Sequence, residues 1–341
     1  MSLADRMRAH AGDESHLYAV LERAMADDWE AGGPVREICR DWEDAPRGAV
    51  VELRLLAGVF RLVLTGRAPE LLPYYPCLGG HEPASEAWPL VRRTLQAHID
   101  ELSDALQVAP QTNEVGRSAA LLVGIFSAVS RTGLTTVRLL ELGASGGLNL
   151  LVDRFRFESP GWSFGPESSP LTLRNSVVGD VTPVSFDISE RRGCDLEPVD
   201  ATSTDGQLRL RSFIWPFHPD RHARLAAALE IAARHPVTVD RAGAGEWLED
   251  QLRRDVDDDV LTVVWQSITE QYWSVEESQR VHRAFASTRR GTVVRVSMEF
   301  PTGDDPGPPE LVVTGPNDDA PCRLATVGDH GIPVTLLAVD A

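Results

Sequence analysis

The stretch from Val137 to Phe155, VRLLELGASGGLNLLVDRF, constrains the fold more than any other part of the chain. An apolar run of strand type, with Val137, Leu139, Leu140 and Leu142, carries the acid Glu141 near its end. Gly143, Gly146 and Gly147 follow, and then Leu148, Leu151, Val152 and Phe155 at helical spacing. The reading is strand, glycine loop, amphipathic helix. Glycine suits such a loop because the backbone must turn sharply and come close to a ligand, and only glycine adopts positive φ freely. The start of the following helix offers unpaired N–H groups. An acid at the strand end can accept from a ribose hydroxyl or a ligand ammonium. Together these features point to a nucleoside-like ligand.

The rest of the chain places this unit. Residues up to 132 read as helices, with apolar spacing in Glu14 to Asp28, Ala49 to Leu64 and Glu86 to Leu106. Ser118 to Val129 is nearly continuous apolar sequence and predicts a buried helix. After Gly133 strands alternate with helices. Strands are expected at Val137 to Leu142, Leu208 to Trp215, Pro236 to Val239, Val260 to Gln266, Thr292 to Phe300, Leu311 to Val313 and Val334 to Val339. Helices are expected at Pro219 to Arg234, at Gly245 to Arg254 and, behind a Ser274–Glu277 capping box, up to Ser287. The expected organisation is a helical N-terminal region, 1–132, and an α/β domain, 133–341, with a β insertion near 155–188. Alternation of this kind argues a doubly wound, mostly parallel sheet with an antiparallel edge strand. Its ligand belongs beyond the C-terminal strand ends, near the first glycine turn.

Charge and composition remove several function classes. The net charge of −18 repels phosphate backbones, so no nucleic-acid partner is expected and a small-molecule ligand is. No apolar run approaches the roughly 20 residues of a membrane helix, and the first residues lack an apolar signal core. Cys39, Cys77, Cys194 and Cys322 form no CxxC pair, and the histidines show no HExxH spacing. A disulfide framework and a metal site are therefore not expected, and a cytoplasmic setting is.

The spacing Glu141-x-Gly143-x-Ser145-x-Gly147 resembles the first motif of class I S-adenosylmethionine-dependent methyltransferases. That motif usually has glycine at the middle position, where Ser145 stands here. The resemblance implies S-adenosylmethionine as cofactor, with Glu141 near its amino acid end. It makes Gly143, Ala144, Ser145, Gly147 and Asn149 the cradle and Asp195, unless it is only a solvated loop acid, the partner of the ribose hydroxyls. Asp200 is a weaker substitute, and Asp240 a candidate for the adenine side. The same residues also spell G-x-S-x-G, a nucleophile elbow, with Asp329-His330 downstream to complete an α/β hydrolase triad. Against it, several strands precede the elbow in that fold, whereas the preceding sequence here reads helical. A dinucleotide fingerprint would need G-x-G-x-x-G, and its second glycine is missing. A degenerate, non-catalytic binding or interaction module on the same fold is the remaining alternative.

Segments spread over most of the chain are similar to a family of uncharacterised bacterial proteins, domain of unknown function 2332. They are Pro110 to Arg117 with SAALL, the glycine-turn segment, Glu190 to Asp195 with LEPVD, Arg211 to Pro216, Val263 to Ser267 with Gln271-Tyr272, and Asp329 to Gly331. The similarity implies a methyltransferase-like Rossmann fold and no established reaction. Trp215-Pro216 is followed here by Phe217-His218, where an acidic residue is expected.

Outside the turn, the candidate pocket residues are Asn113, Arg117, Ser267 and Gln271, with Tyr272 and His330 as catalytic candidates. Asn113 reads as an N-cap or a ligand contact. Arg117 opens an apolar helix and needs an acidic partner, from Glu114 or a ligand. His330 is a candidate general base, since an ordinary histidine titrates near neutrality, unless it is only a turn residue. The topology brings Arg117, Tyr272 and His330 to one sheet edge, so these side chains are expected to line a pocket with Gly143 and Tyr272 to close its apolar wall.

Overall fold

In the computed structural model, which describes residues 2–288, 291–301, 307–315, 318, 320–328 and 330–338 apart from the Arg47 side chain, the chain divides into two units. One unit comprises 1–112 with 207–223, and the other 113–206 with 224–341.

The first unit is helical: α1 (Leu3–Ala11), α2 (Leu17–Glu30), α3 (Pro34–Ile38), α4 (Val51–Leu64), α5 (Trp88–Ala97) and α6 (Ile99–Ala105). Local chemistry starts these helices. Ser2 and Asp5 form a reciprocal capping box on α1, and the His16 ring accepts from the Ala19 N–H at the start of α2. Leu21, Met25, Leu55, Leu56 and Phe60 are fully buried in its core. Asp28, also buried, accepts from Val35 N at 3.0 Å and pairs with Arg92 Nε at 2.7 Å. The segment 207–223 joins this unit through an aromatic cluster. Phe217 stacks on His16 at 4.2 Å, and Trp215 lies 5.4 Å from His16 and 6.0 Å from Tyr18.

The second unit is built on a sheet. Helix α7 (Ser118–Thr132) leads into β1 (Thr136–Leu142). The expected β excursion contains β2 (Arg156–Ser159), β3 (Trp162–Phe164), β4 (Thr172–Arg174) and β5 (Val177–Val178). β6 (Asp187–Asp195) then returns beside β1. After α8 (Thr204–Ser212) and α9 (Pro219–Arg234) come β7 (Thr238–Arg241), α10 (Ala244–Arg253), β8 (Val260–Ser267), α11 (Val275–Ser287) and β9 (Val293–Glu299). β10 (Glu310–Thr314), β11 (Cys322–Val327) and β12 (Val334–Leu336) close the chain.

Among the described residues these strands make a nine-stranded sheet, ordered β5-β12-β11-β10-β9-β8-β1-β6-β7, and a small β3-β2-β4 sheet. The pairs β7-β6, β6-β1, β1-β8 and β8-β9 are parallel, and β9 to β12 form an antiparallel meander. Mixed α/β architecture with a mostly parallel sheet is therefore established. From β1 the chain runs outward to β6 and β7, then returns to β8 on the other side of β1. The reversal leaves a crevice beyond the tips of β1 and β8, the position where open α/β sheets hold ligands.

Strand alternation assigns the two faces. Leu140, Leu142, Val264 and Val293 pack with Trp247 and Leu248 of α10 and Val281 of α11. Residues of the opposite parity face α7, as where Val296 comes so close to Gly124 that a β-carbon there would lie 2.2 Å from it.

Several expectations need correction. Leu208 to Trp215 is not a strand: its alternating Leu–Arg pattern lies largely in α8, which starts where Ser203 Oγ accepts from Gly206 N at 3.0 Å. The segment after the glycine turn is a 3-10 helix, Leu148–Arg154, bent at Leu151, and not an amphipathic α-helix. Leu148 to Val152 are all buried, so there is no polar face. β11 lies where only loop was expected, in a stretch whose Pro, Gly and Asp content masks it. The expected last strand is shorter, Val334–Leu336, and its Val339 end lies outside the described residues. Helix α7 groups with the sheet unit and packs on β8, β9 and β10.

Candidate functional site

The turn after β1 takes left-handed backbone at alternate positions: Gly143 at φ 70°, Ser145 at φ 52° and Gly147 at φ 72°. The backbone therefore asks for glycine at each of the motif's positions, and Ser145 meets that demand against its own preference. A β-carbon on Gly143 would lie 2.3 Å from Thr269 Oγ1, and one on Gly147 2.6 Å from a Val237 methyl. Polar contacts fix the loop. Asp195 Oδ2 accepts from Ser145 N at 2.9 Å, Asp195 Oδ1 accepts from Glu197 N at 2.9 Å, and Ala144 N donates to Cys194 O at 2.9 Å. Asn113 Oδ1 accepts from Leu148 N at 2.9 Å, so Asn113 braces the turn and does not cap a helix. The cap before α7 is Glu114, which accepts from Gly116 N at 3.2 Å and lies 3.6 Å from Arg224.

Glu141 lies under this turn, 2% exposed, on the α7 face. Asn149 Nδ2 donates to its Oε1 at 3.4 Å, a long bond. Trp265 faces Glu141 across the β1–β8 register, and its indole N–H favours the carboxylate. Yet neither Glu141 Oε2 nor Trp265 Nε1 completes a hydrogen bond, and Asn149 Oδ1 and Ser145 Oγ also lack partners. Burial pushes the Glu141 carboxyl up to about 8, against the opposing pull of Asn149 and the Arg117 charge. Such buried, unsatisfied polar atoms are uncommon in proteins. Asn149 Oδ1 and, once the carboxyl ionises, Glu141 Oε2 are acceptors, so the cluster suits a cationic ligand that brings donors and favours the ionised acid.

A second polar group crowns β8 and β9 on the α11 face. Glu299 Oε1 accepts from Gln266 Nε2 at 3.1 Å, Thr269 N at 3.2 Å and Glu270 N at 3.3 Å. Glu270 accepts from Gln266, Arg295 and Ser278 at 3.1, 3.0 and 3.0 Å. Arg295 Nε in turn donates to Gln266 Oε1 at 3.1 Å. This network is absent from the sequence reading. Its one signal is a glutamate at the end of β9, as Glu141 lies near the end of β1.

The remaining candidates converge by backbone more than by side chain. Arg117 donates to the Ser267 carbonyl at 3.1 Å. The His330–Gly331 backbone abuts Gly116 and Arg117: a β-carbon on Gly116 would lie 2.3 Å from His330 O. The expected edge thus gathers Arg117, Ser267, Thr269 and the His330 loop near the glycine turn. The expected wall does not form, because Tyr272 is 75% exposed and Gln271 and His330 are exposed too. A 3-10 turn, Glu270–Tyr272, carries Tyr272 outward. Ala144 is fully buried and packs on Gly193 of β6. Asp240 is committed elsewhere, to Arg192 at 2.6 and 2.8 Å and to Trp247 Nε1 at 2.7 Å, and Asp200 Oδ1 to Thr202 N at 2.9 Å. Asp329 lies outside the described residues. On the far side of the turn, Gly146, Val199, Ala201, Val237 and Val239 border a cavity of about 380 Å³.

A family profile described as "uncharacterized protein conserved in bacteria (DUF2332)" matches residues 2–335. The chain belongs to this family. No curated protein and no solved structure matches it. Among the described residues, no helix is long and apolar enough to cross a membrane, and no group of His, Cys, Asp and Glu is arranged to hold a metal ion.

Proposed function

We propose that this DUF2332 protein has a methyltransferase-like Rossmann fold, binds S-adenosylmethionine at the glycine turn and transfers its methyl group to a small molecule or protein. The observation that carries the reading is the buried Glu141–Asn149 acceptor pair beneath three left-handed backbone positions, at the strand-order reversal. The donor set fits the cofactor. An amino acid ammonium supplies the donors that Glu141 Oε2 and Asn149 Oδ1 lack. Asp195 holds Ser145 N through Oδ2 and Glu197 N through Oδ1, and since each carboxylate oxygen accepts more than one hydrogen bond, ribose hydroxyls can share it.

The bound cofactor would supply an electrophilic methyl on its sulfonium. The chain's own contribution is orientation: the turn fixes the amino acid end, and the loop after β8 bounds the approach of the acceptor. Glu141 does not act as a base in this reading. It gives up its proton to the medium when a cation arrives, because the ammonium favours the charged carboxylate.

The test is calorimetry with S-adenosylmethionine, S-adenosylhomocysteine and NAD. Binding of the first two and not of NAD is expected, and absence of all binding at millimolar ligand overturns the assignment.

One observation favours a second reading. Ser145 takes positive φ between strand and helical turn, as a nucleophile at an elbow does. Its Oγ has no hydrogen-bond partner, so no imidazole activates it in this conformation. Labelling by a fluorophosphonate probe, lost in Ser145→Ala, would promote the hydrolase.

A further inference from the structure

The loop after β8 is held in an unusual shape. Ile268 has φ 49°, a region that β-branched residues almost never enter, so the surroundings must impose it. Thr269 follows and rests against Gly143, where its Oγ1 fills the space a side chain would need. Two sets of bonds to β9 account for the imposed shape. Ile268 N donates to Met298 O at 2.9 Å, which extends the β8–β9 ladder by one step. Glu299 Oε1 then takes the next backbone N–H groups, Thr269 N and Glu270 N, together with the Gln266 side chain. A single carboxylate oxygen thus stands where the ladder would have continued, and it turns the chain over the glycine turn instead.

We infer that Glu299 is a positioning residue: through its Oε1 it sets the loop 267–272 against Gly143 and thereby shapes the ligand site without touching the ligand. The Gln266–Arg295–Glu270 network supports it from below, since Gln266 receives from Arg295 while donating to both glutamates. Ligand contact in this inference rests on the proposed cofactor site; the setting of the loop does not.

The experiment is site-resolved amide hydrogen exchange on the full chain, with Glu299→Met, which keeps the length and removes the acceptor, and Glu299→Gln, which keeps an acceptor oxygen. In Glu299→Met the Thr269 and Glu270 amides should exchange about tenfold faster, the factor expected from losing one hydrogen bond of ordinary net strength. The β1 and β8 amides should keep their protection. Glu299→Gln should restore most of the protection at Thr269 and Glu270. Unchanged rates at those two amides in Glu299→Met, or an equal rise along β8 and β9, would overturn the inference. So would full-rate exchange of both amides in the wild-type protein, which needs no variant to fold. S-adenosylhomocysteine affinity, measured in parallel, separates the two claims. A wild type that fails to bind sinks the cofactor assignment while the exchange result still decides the role of Glu299. A Glu299→Met protein that loses loop protection yet binds as the wild type does removes the site-shaping half of the inference.

Discussion

Glu141 and Glu299 occupy equivalent places, one at the tip of β1 and the other at the tip of β9, and burial raises both carboxyls above the ordinary range. Their surroundings differ. Glu299 Oε1 alone gathers a side-chain amide and two backbone N–H groups. Glu141 has one long bond from Asn149 and an Oε2 with no completed bond. A buried carboxyl ringed by donors from its own chain organises that chain. A buried carboxyl short of donors is poised for a ligand that carries them, because an unmade bond in the interior costs more than a made one returns. The sheet thus separates the two acids, with the acid of the proposed ligand site on the α7 face and the one that gathers backbone donors on the α11 face.

The largest effect that tests this contrast is at Gly143. Gly143→Val places a β-branched side chain at φ 70° and drives it into Thr269. S-adenosylhomocysteine should raise the wild-type melting temperature by mass action and leave the variant's unchanged. Far-ultraviolet circular dichroism should show the same helix content in both. A variant that keeps the wild-type ligand shift would place the ligand elsewhere and leave Glu141 without its assigned partner.

The next effect is a pH dependence, and its sign follows from the raised carboxyl. Below about 4.5 Glu141 holds its proton whether folded or unfolded. Between about 4.5 and about 8 the unfolded chain ionises while the folded chain keeps the proton, so stability falls as pH rises. The ceiling is roughly 1.4 kcal/mol per pH unit. Glu141→Gln removes this slope, so the variant should gain on the wild type between pH 5 and pH 8, as read by ~1-unit steps in denaturant unfolding. Ligand affinity should move the opposite way. In the wild type it should rise with pH as the carboxylate becomes easier to form, and in Glu141→Gln it should be weak and flat. Parallel stability curves for the two proteins would mean that Glu141 is ionised in the unliganded fold and that the contrast with Glu299 is false.

These two acids also mark how much the sequence discloses. The glycine turn was legible because its signal is local: an apolar strand, an acid and glycines at fixed spacing. The parallel neighbour β8 was legible for the same reason, whereas β6, on the other side of β1, is not among the expected strands, because its run Glu190-Arg191-Arg192 masks it. Glu299 also lies at a strand end, but no glycines follow it at that spacing, and its meaning depends on the backbone of a loop some thirty residues earlier in the chain, which no periodicity reports. The 3-10 helix after the turn was misread because burial on every side erased the polar face that distinguishes an amphipathic helix. α8 was misread because Leu208 and Leu210 alternate with Arg209 and Arg211, and two-residue alternation outvoted a serine cap. Tyr272 was assigned to a wall by topology alone. Topology places a residue at an edge and does not say which way its side chain turns.

A smaller effect comes from Asp195, which shares features of both acids. It holds Ser145 N and Glu197 N and is also the proposed ribose partner. Asp195→Ala should cost about 1–3 kcal/mol of stability through the backbone donors it strands, measured by chemical denaturation. Asp195→Asn keeps an acceptor and should recover part of this stability while still weakening S-adenosylhomocysteine. A stability loss with unchanged ligand affinity would move Asp195 wholly to the architectural side, with Glu299.

The smallest effect is expected at Ser145, and it is a gain. Ser145 holds φ 52° between two glycines with positive φ, and its Oγ is buried without a partner. Both features disfavour serine: the side chain strains the backbone, and the hydroxyl is desolvated with nothing in return. Ser145→Gly removes both at once. The opposing term is entropic, since glycine leaves the unfolded chain freer. Relief of the left-handed strain and of the buried hydroxyl outweighs it, so the variant should be more stable by about 0.5–1 kcal/mol. S-adenosylhomocysteine binding should be retained or improved, because Gly is the residue that the turn's backbone asks for. Thermal unfolding with and without ligand checks both parts. A less stable Ser145→Gly protein would mean that the hydroxyl has a partner within the fold. A stable variant that loses ligand would make Ser145 a ligand contact, the donor that would have to be added to the Glu141–Asn149 acceptor pair.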